Sequence, residues 1–176
     1  MSVVRAASAA PEVELVVLEA AVLEALVVGD RTAAAAATGL DFPEFFDTQG
    51  WLWRIHIDRM RQHPASVGWL ARAVVDSATG EVVGHAGFHF QPDPAGMVEI
   101  GYTIVPERRG RGLATATVTA LLAFAAADPA VRTVRASVSP ENPASLAVVA
   151  HHGFVQTGEQ EDEEDGLELI FERAPR

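Results

Sequence analysis

Three groups of residues in this chain have chemistry to offer: a carboxylate inside an apolar strand, a glycine- and arginine-rich turn before a long helix, and an asparagine and serine ahead of a second helix. The carboxylate is Glu99, within the run from Met97 to Val105. At a period of two, Glu99 shares one strand face with Gly101, Thr103 and Val105, while Val98, Ile100, Tyr102 and Ile104 share the other. A carboxylate in the middle of a central strand must be paired, solvated in a cleft or shifted in pKa. Paired with an arginine it is structural; facing a cleft it is a candidate general base.

The run stops at Pro106, and Arg109-Gly110-Arg111-Gly112-Leu113-Ala114 leads into an alanine, threonine and leucine series without proline until Pro129. That order reads as a strand, a turn and a helix. The first N–H groups of such a helix lack intrahelical partners and carry partial positive charge, so an anion is their natural ligand. Glycines at 110 and 112 let a phosphate approach the backbone, and Arg108, Arg109 and Arg111 add charge. The turn suits a pyrophosphate. It has neither the Gly-Lys-Ser/Thr of a Walker-type loop nor the third glycine of the dinucleotide fingerprint, which disfavours a nucleotide-binding regulator.

A second segment follows about thirty residues on. The strand-like run Val131 to Val138 leads through Ser139-Pro140-Glu141-Asn142-Pro143-Ala144-Ser145 into an apolar helix closed by Gly153-Phe154. Asn142, with Pro143 at the first helical position, has the chemistry of an N-cap. His85 and His89 lie four apart on one strand face, which suggests a metal or a second base, yet two histidines without a third ligand make a poor metal site and exposure or core hydrogen bonding is the commoner role, so no metal is expected. If Phe90 pairs with Met97, His89 faces away from Glu99; a slip of one residue reverses this, and the sequence leaves both registers open.

The elements that must position these groups are legible as patterns. Glu12 to Leu18 reads as a first strand, Glu19 to Val28 as a helix stopped by Gly29, and Asp30 as the cap of a short helix through the alanines 33 to 37. Leu40 to Phe46 is loop-like, and Trp51 to Met60 is helical. Trp69 to Val75, Val82 to Phe90 and Met97 to Val105 are joined by the turns 76–80 and 91–96, a three-stranded antiparallel meander that feeds the arginine and glycine turn. Val155 to Gln160 and Gly166 to Arg173 form a closing hairpin around the acidic run 159–165, read as a solvated turn that can also steer cations inward. Phe42, Phe45, Phe46, Trp51 and Trp53 are core residues first, and candidates for a pocket wall second.

With 176 residues, 49% of them hydrophobic, one domain over 1–176 is expected, with 1–10 a frayed tail. The formal net charge of −11 argues against nucleic acid or an anionic membrane as partner and favours cationic substrates. There is no cysteine, so disulfides and thiolate metal sites are excluded. No signal-peptide order and no long uncharged apolar run is present, which points to a cytoplasmic protein.

Arg109-Gly110-Arg111-Gly112-Leu113-Ala114 resembles the acyl-CoA loop, R/Q-x-x-G-x-G/A, of the GNAT superfamily of N-acetyltransferases. Asn142 to Phe154 is similar to their N-x-x-S/A…GF segment, and Glu99-Ile100-Gly101-Tyr102 to the strand of the branch that includes ribosomal-protein alanine acetyltransferases. The resemblance implies an α/β fold with a mixed, mostly antiparallel sheet of six or seven strands flanked by helices. It implies transfer of an acetyl group from acetyl-CoA to a primary amine, small molecule or peptide N-terminus, by direct attack, releasing CoA. Acetyl-CoA would lie against Ile104, Val105, Arg109, Gly110, Arg111, Gly112, Leu113, Ala114, Thr115, Asn142 and Ser145. Glu99 would be the base, a backbone N–H around Thr103 to Val105, where the strand bulges and splays, would hold the acetyl oxygen, and Ser145, Tyr102 or water would be the acid. Many members carry that acid as a tyrosine at the position of Val149, and its absence here keeps a non-catalytic acyl-CoA sensor as the alternative. A homodimer is left open.

Overall fold

The computed structural model describes residues 10–162 and 166–176; the expected frayed tail lies, but for its last residue, outside the described residues. The chain runs β1 (Val13–Val17), α1 (Ala20–Val27), α2 (Arg31–Thr38), α3 (Gly50–Gln62), β2 (Ala71–Asp76), β3 (Val82–Phe88), β4 (Met97–Ile104), α4 (Leu113–Ala127), β5 (Thr133–Val138), α5 (Pro143–His151), β6 (Val155–Asp162) and β7 (Gly166–Arg173). The strands form one sheet in the order β1-β2-β3-β4-β5-β7-β6, antiparallel throughout except where β4 meets β5.

The two faces of the sheet bury different cores. Helices α4 and α5 cover one face through Val118, Leu121, Leu122 and Val149, against Val74, Phe88, Ile100 and Val134. Helices α1 to α3 cover the other through Leu23, Leu26, Trp53 and Met60, against Ala71, Ala73 and Val75. Strand β3 is buried along its whole length, as a strand between two layers must be. Phe42 and Phe46 belong to the second core, and the Trp53 indole N–H donates to the Phe46 carbonyl at 3.0 Å.

Caps and turns form where their side chains demand. Asp30 accepts from the Ala33 N–H at 2.9 Å, and Asn142 from the Ser145 N–H at 3.0 Å. The stretch expected to be a loop contains a 3-10 turn, Glu44–Gln49, that runs directly into α3. The β3–β4 connection is set by Asp93, whose carboxylate accepts from the Ala95 and Met97 N–H groups at 2.8 and 2.9 Å, with Gly96 at φ 81°. This tight turn fixes the register left open above: His85 pairs Thr103 and Phe88 pairs Ile100, and the His89 N–H donates to the Glu99 carbonyl at 2.8 Å. His89 therefore lies on the same face as Glu99, the reverse of the Phe90–Met97 pairing.

Strands β4 and β5 pair in parallel only from Met97–Thr133 to Glu99–Arg135, and then separate. The register of β3 against β4 is unbroken from Gly84–Ile104 to Phe88–Ile100, so the expected bulge in β4 is absent. The opening lies on the β5 side of β4, beyond Glu99. The Val105 N–H donates to the Val83 carbonyl at 2.9 Å, so odd-numbered residues of β4 bond to β3. By alternation, the N–H groups of Tyr102 and Ile104 point into the gap between β4 and β5.

Candidate active site

Two cavities flank this gap, and both are lined by Tyr102 and Thr103. The first, about 460 Å³, is walled by Ile104, Arg109, Gly110, Gly112, Leu113, Ala114 and Thr115 on one side and by Asn142, Ser145 and Val148 on the other. Gly112 is the N-cap of α4 at φ 79°, a left-handed conformation that glycine adopts without strain, and no side chain caps the helix. The Gly112 carbonyl accepts from the Ala116 N–H at 3.0 Å, leaving Leu113, Ala114 and Thr115 with N–H groups that the helix cannot use. Helices α2 and α5 are capped by the Asp30 and Asn142 side chains, whereas α4, like α1 and α3, has no side-chain cap.

Arg109 bends back to the strand, its Nε donating to the Ile104 carbonyl at 3.0 Å, which ties the turn to the end of β4. Arg108 is ion-paired with Glu81. Two of the residues expected against acetyl-CoA are not in the wall of this cavity. Arg111 points outward to the Glu107 carbonyl, and Val105 is buried with its N–H spent on β3, so neither lines this cavity.

Tyr102 and Ser145 converge at the inner end. Burial pushes the Tyr102 phenol up from its usual pKa, and the Ser145 hydroxyl facing it pulls the value back down. The two oxygens do not meet in hydrogen-bond geometry, so the buried Tyr102 Oη is left without a partner. Val149 is fully buried in the core, and α5 lines the cavity through Ala144, Ser145 and Val148. Helix α5 thus presents Ser145 as its hydroxyl at this point.

The second cavity, about 710 Å³, lies beneath α3 and is lined by Trp51, Trp53, His56, Arg59, His85 and His89, with Glu161 and Asp162 at the β6–β7 end. Of the aromatic residues weighed as a pocket wall, Trp53 serves both core and cavity, and Trp51 is 54% exposed at the rim. Burial lowers the pKa of His85 to about 4, and burial with the Arg59 charge lowers His56 to about 4, so both imidazoles are neutral. The acidic run is not simply a solvated turn. Glu159 to Asp162 are strand residues paired with Leu169 to Gly166, and residues 163–165 lie outside the described residues.

Glu99 sits where β4 and β5 part, 17% exposed, and its Oε1 accepts from the Ser137 hydroxyl of β5 at 2.7 Å. Arg135, its neighbour across the parallel pairing, is engaged instead with Glu172 at 2.7 Å, so Glu99 is not held by an arginine contact. Glu99 does not itself line the larger cavity. His89 does, with its Nδ1 3.8 Å from Glu99 Oε1, a neighbour the sequence allowed only in one of two registers. No group of three or more His, Cys, Asp or Glu residues able to hold a metal occurs among the described residues.

Known proteins share this fold and part of this sequence. The chain is 28% identical over 86 residues to an uncharacterized N-acetyltransferase, p20, of Bacillus licheniformis, a match that covers 49% of this chain and 48% of that protein. The matched region is thus about half the length of the curated relative. The fold is shared with a spermidine N-acetyltransferase chimera from Vibrio cholerae (TM-score 0.66, 15% identity, 93% of this chain and 96% of that one). It is also shared with ribosomal-protein-S5-alanine acetyltransferase from Vibrio fischeri (TM-score 0.63, 17% identity, 93% of each chain). The model of the acetyltransferase (GNAT) domain matches residues 19–155, which include β4, the uncapped turn before α4 and the Asn142–Ser145 segment, and the chain belongs to that family.

Proposed function

We propose that the protein transfers an acetyl group from acetyl-CoA to a primary amine, either a small molecule or a peptide N-terminus, by direct attack in a ternary complex. The observation that carries this reading is the meeting of two cavities at Tyr102 and Thr103, on the strand that has lost its neighbour. One cavity ends in uncapped helix N–H groups suited to a pyrophosphate; the other offers aromatic walls and an acidic rim. Acetyl-CoA, when bound, supplies the activated thioester.

The residues divide the remaining work. The N–H groups of Gly110 and of Gly112 to Thr115 and the Arg109 guanidinium hold the pyrophosphate, and Asn142 and Ser145 flank the pantetheine arm. The Ile104 N–H, pointing into the gap, holds the acetyl oxygen as charge develops on it. Glu99 supplies the negative charge beside the acceptor cavity that favours deprotonation of the substrate ammonium there. Ser145 and Tyr102 stand where the departing thiolate must be protonated, and the unpartnered Tyr102 hydroxyl has a proton to give. Glu161 and Asp162 at the cavity rim favour cationic acceptors, in keeping with the net charge of −11.

A cytoplasmic protein with neither nucleic acid nor membrane as partner fits the same reading, and no helix among the described residues is long and apolar enough to cross a membrane. A homodimer is tested by light scattering. The function is tested by isothermal titration of acetyl-CoA alongside thiol release with spermidine, aminoglycosides and alanine-terminated peptides. Binding without amine-dependent CoA release across that panel would favour the acyl-CoA sensor instead.

A further inference from the structure

We infer that His89, oriented by Glu99, is the group that takes the proton from the acceptor ammonium. The inference rests on the proposed acetyl transfer and specifies who performs its first step. Glu99 is set back from the larger cavity and occupied by the Ser137 hydroxyl at 2.7 Å, whereas His89 lines the cavity and its side chain is 53% exposed.

The two residues are direct cross-strand partners, joined by the His89 N–H donating to the Glu99 carbonyl at 2.8 Å. Partners of this kind present their side chains on one face at close range. The imidazole Nδ1 stands 3.8 Å from Glu99 Oε1, an ion-pair separation that a small rotation of the exposed ring converts to a hydrogen bond.

The other nitrogen points along β4 toward the chemistry. A Cβ added to Gly101 would lie 3.3 Å from His89 Nε2, so the ring lies over the bare backbone of Gly101, one residue before Tyr102 and Thr103, where the cavities meet. The glycine of the Glu99-Ile100-Gly101-Tyr102 sequence thereby gains a physical purpose: it leaves room for the imidazole. With the Nδ1 proton facing the carboxylate, Nε2 carries the lone pair, the arrangement in which a carboxylate fixes the tautomer of a basic imidazole.

The surroundings of the ring are mixed in charge. Glu99 faces it from β4, while α3 supplies Arg59, whose Nη1 donates to the His89 carbonyl at 2.8 Å, and the neutral His56. Burial holds the Arg59 guanidinium below its usual pKa, opposed by the negative charge of Glu99. Glu161 and Asp162 line the same cavity from β6.

The proton balance is simple. The ammonium gives one proton to His89 Nε2, and the nitrogen lone pair so freed forms the C–N bond to the acetyl carbon. The second proton leaves nitrogen as the C–S bond breaks and ends on the sulfur. His89 returns its proton to solvent.

The test has an arm that needs no acceptor. Ring-nitrogen NMR of the whole protein, at a pH where the imidazole is neutral, should place the His89 proton on Nδ1, and Glu99→Gln should move it to Nε2. A wild-type proton on Nε2 overturns the inference. The second arm uses thiol release with spermidine or an alanine-terminated peptide, whichever the enzyme accepts. His89→Gln should lower kcat/KM about 10²-fold at pH 7, the gap closing as pH approaches the amine's own pKa. Glu99→Gln should lose less, and the double variant should be no slower than His89→Gln alone. His89→Gln within twofold of wild type, with the full loss in Glu99→Gln, would return the role to Glu99. If neither amine is accepted, the acetyl-transfer reading fails while the tautomer result still judges the pairing.

Discussion

Replacing Gly112 by aspartate separates the backbone role of the turn before α4 from its electrostatic one. Gly112 caps the helix at φ 79°, where an L-residue carries a cost of roughly 1–2 kcal/mol, and aspartate is among the side chains that tolerate it best. A Cβ would approach Pro11 Cγ to 3.2 Å, a contact that a shift of a few tenths of an ångström in Pro11 relieves. The variant should therefore fold, with a melting temperature lower by about 2–8 °C.

Binding should suffer more. A carboxylate about 5 Å from a phosphate group, at an effective dielectric of about 20, opposes it by roughly 3 kcal/mol. Exposure of the turn to solvent removes about half of that, leaving a loss of roughly ten- to a hundredfold in affinity. Gly112→Ala is the control, because it shares the backbone strain and the Pro11 contact but carries no charge. Calorimetric titration of acetyl-CoA into both should give the aspartate variant the weaker affinity by about that factor, shrinking as salt rises. Equal affinities for the two variants would refute the placement of the pyrophosphate at this helix end.

Arg109→Ala should raise the KM for acetyl-CoA, more so at low salt, because it removes both a charge facing the cavity and the Nε bond to Ile104; an unchanged KM would leave Arg109 structural only. Tyr102→Phe removes a buried hydroxyl without a partner, so the melting temperature should rise, by about 2–4 °C for roughly 1 kcal/mol, while kcat falls if the phenol protonates the thiolate; a stabilised variant with unchanged kcat would pass that role to Ser145 or water. His56 and His85 have folded pKa values of about 4 against 6.5 unfolded, so between those values the unfolded chain binds more protons and stability declines as pH falls from about 7 toward 4. Each contributes up to about 3 kcal/mol of that decline, and His85→Gln should flatten the dependence of melting temperature on pH; an unaltered slope would show that His85 is not the buried neutral group described.

What was legible in the sequence was local. The caps at Asp30 and Asn142 and the turn opened by the glycines at 110 and 112 are read from residues within or next to the backbone they serve. The hidden features depend on long-range geometry. The register that brings His89 to Glu99 is decided by how the Asp93 carboxylate folds the 93–97 turn, a choice between two pairings one residue apart. The acidic run read as a solvated turn because charge there masks strand pairing, yet β7 continues opposite it and delivers Glu161 and Asp162 to the cavity. Arg111 and Val105 follow from motif position, but the Arg111 guanidinium turns to the Glu107 carbonyl and Val105 is buried with its N–H bonded to β3, which takes both out of the cavity wall.

Release of CoA thiol from acetyl-CoA, measured against amine concentration, tests the central claim most directly. Acetyl transfer through two cavities that meet at Tyr102 and Thr103 predicts saturable release that depends on both substrates, with intersecting rather than parallel double-reciprocal lines, as a ternary complex requires. Parallel lines would mean an acetylated enzyme intermediate, and tight acetyl-CoA binding with no release for any amine would mean that the site binds its ligand without turning it over.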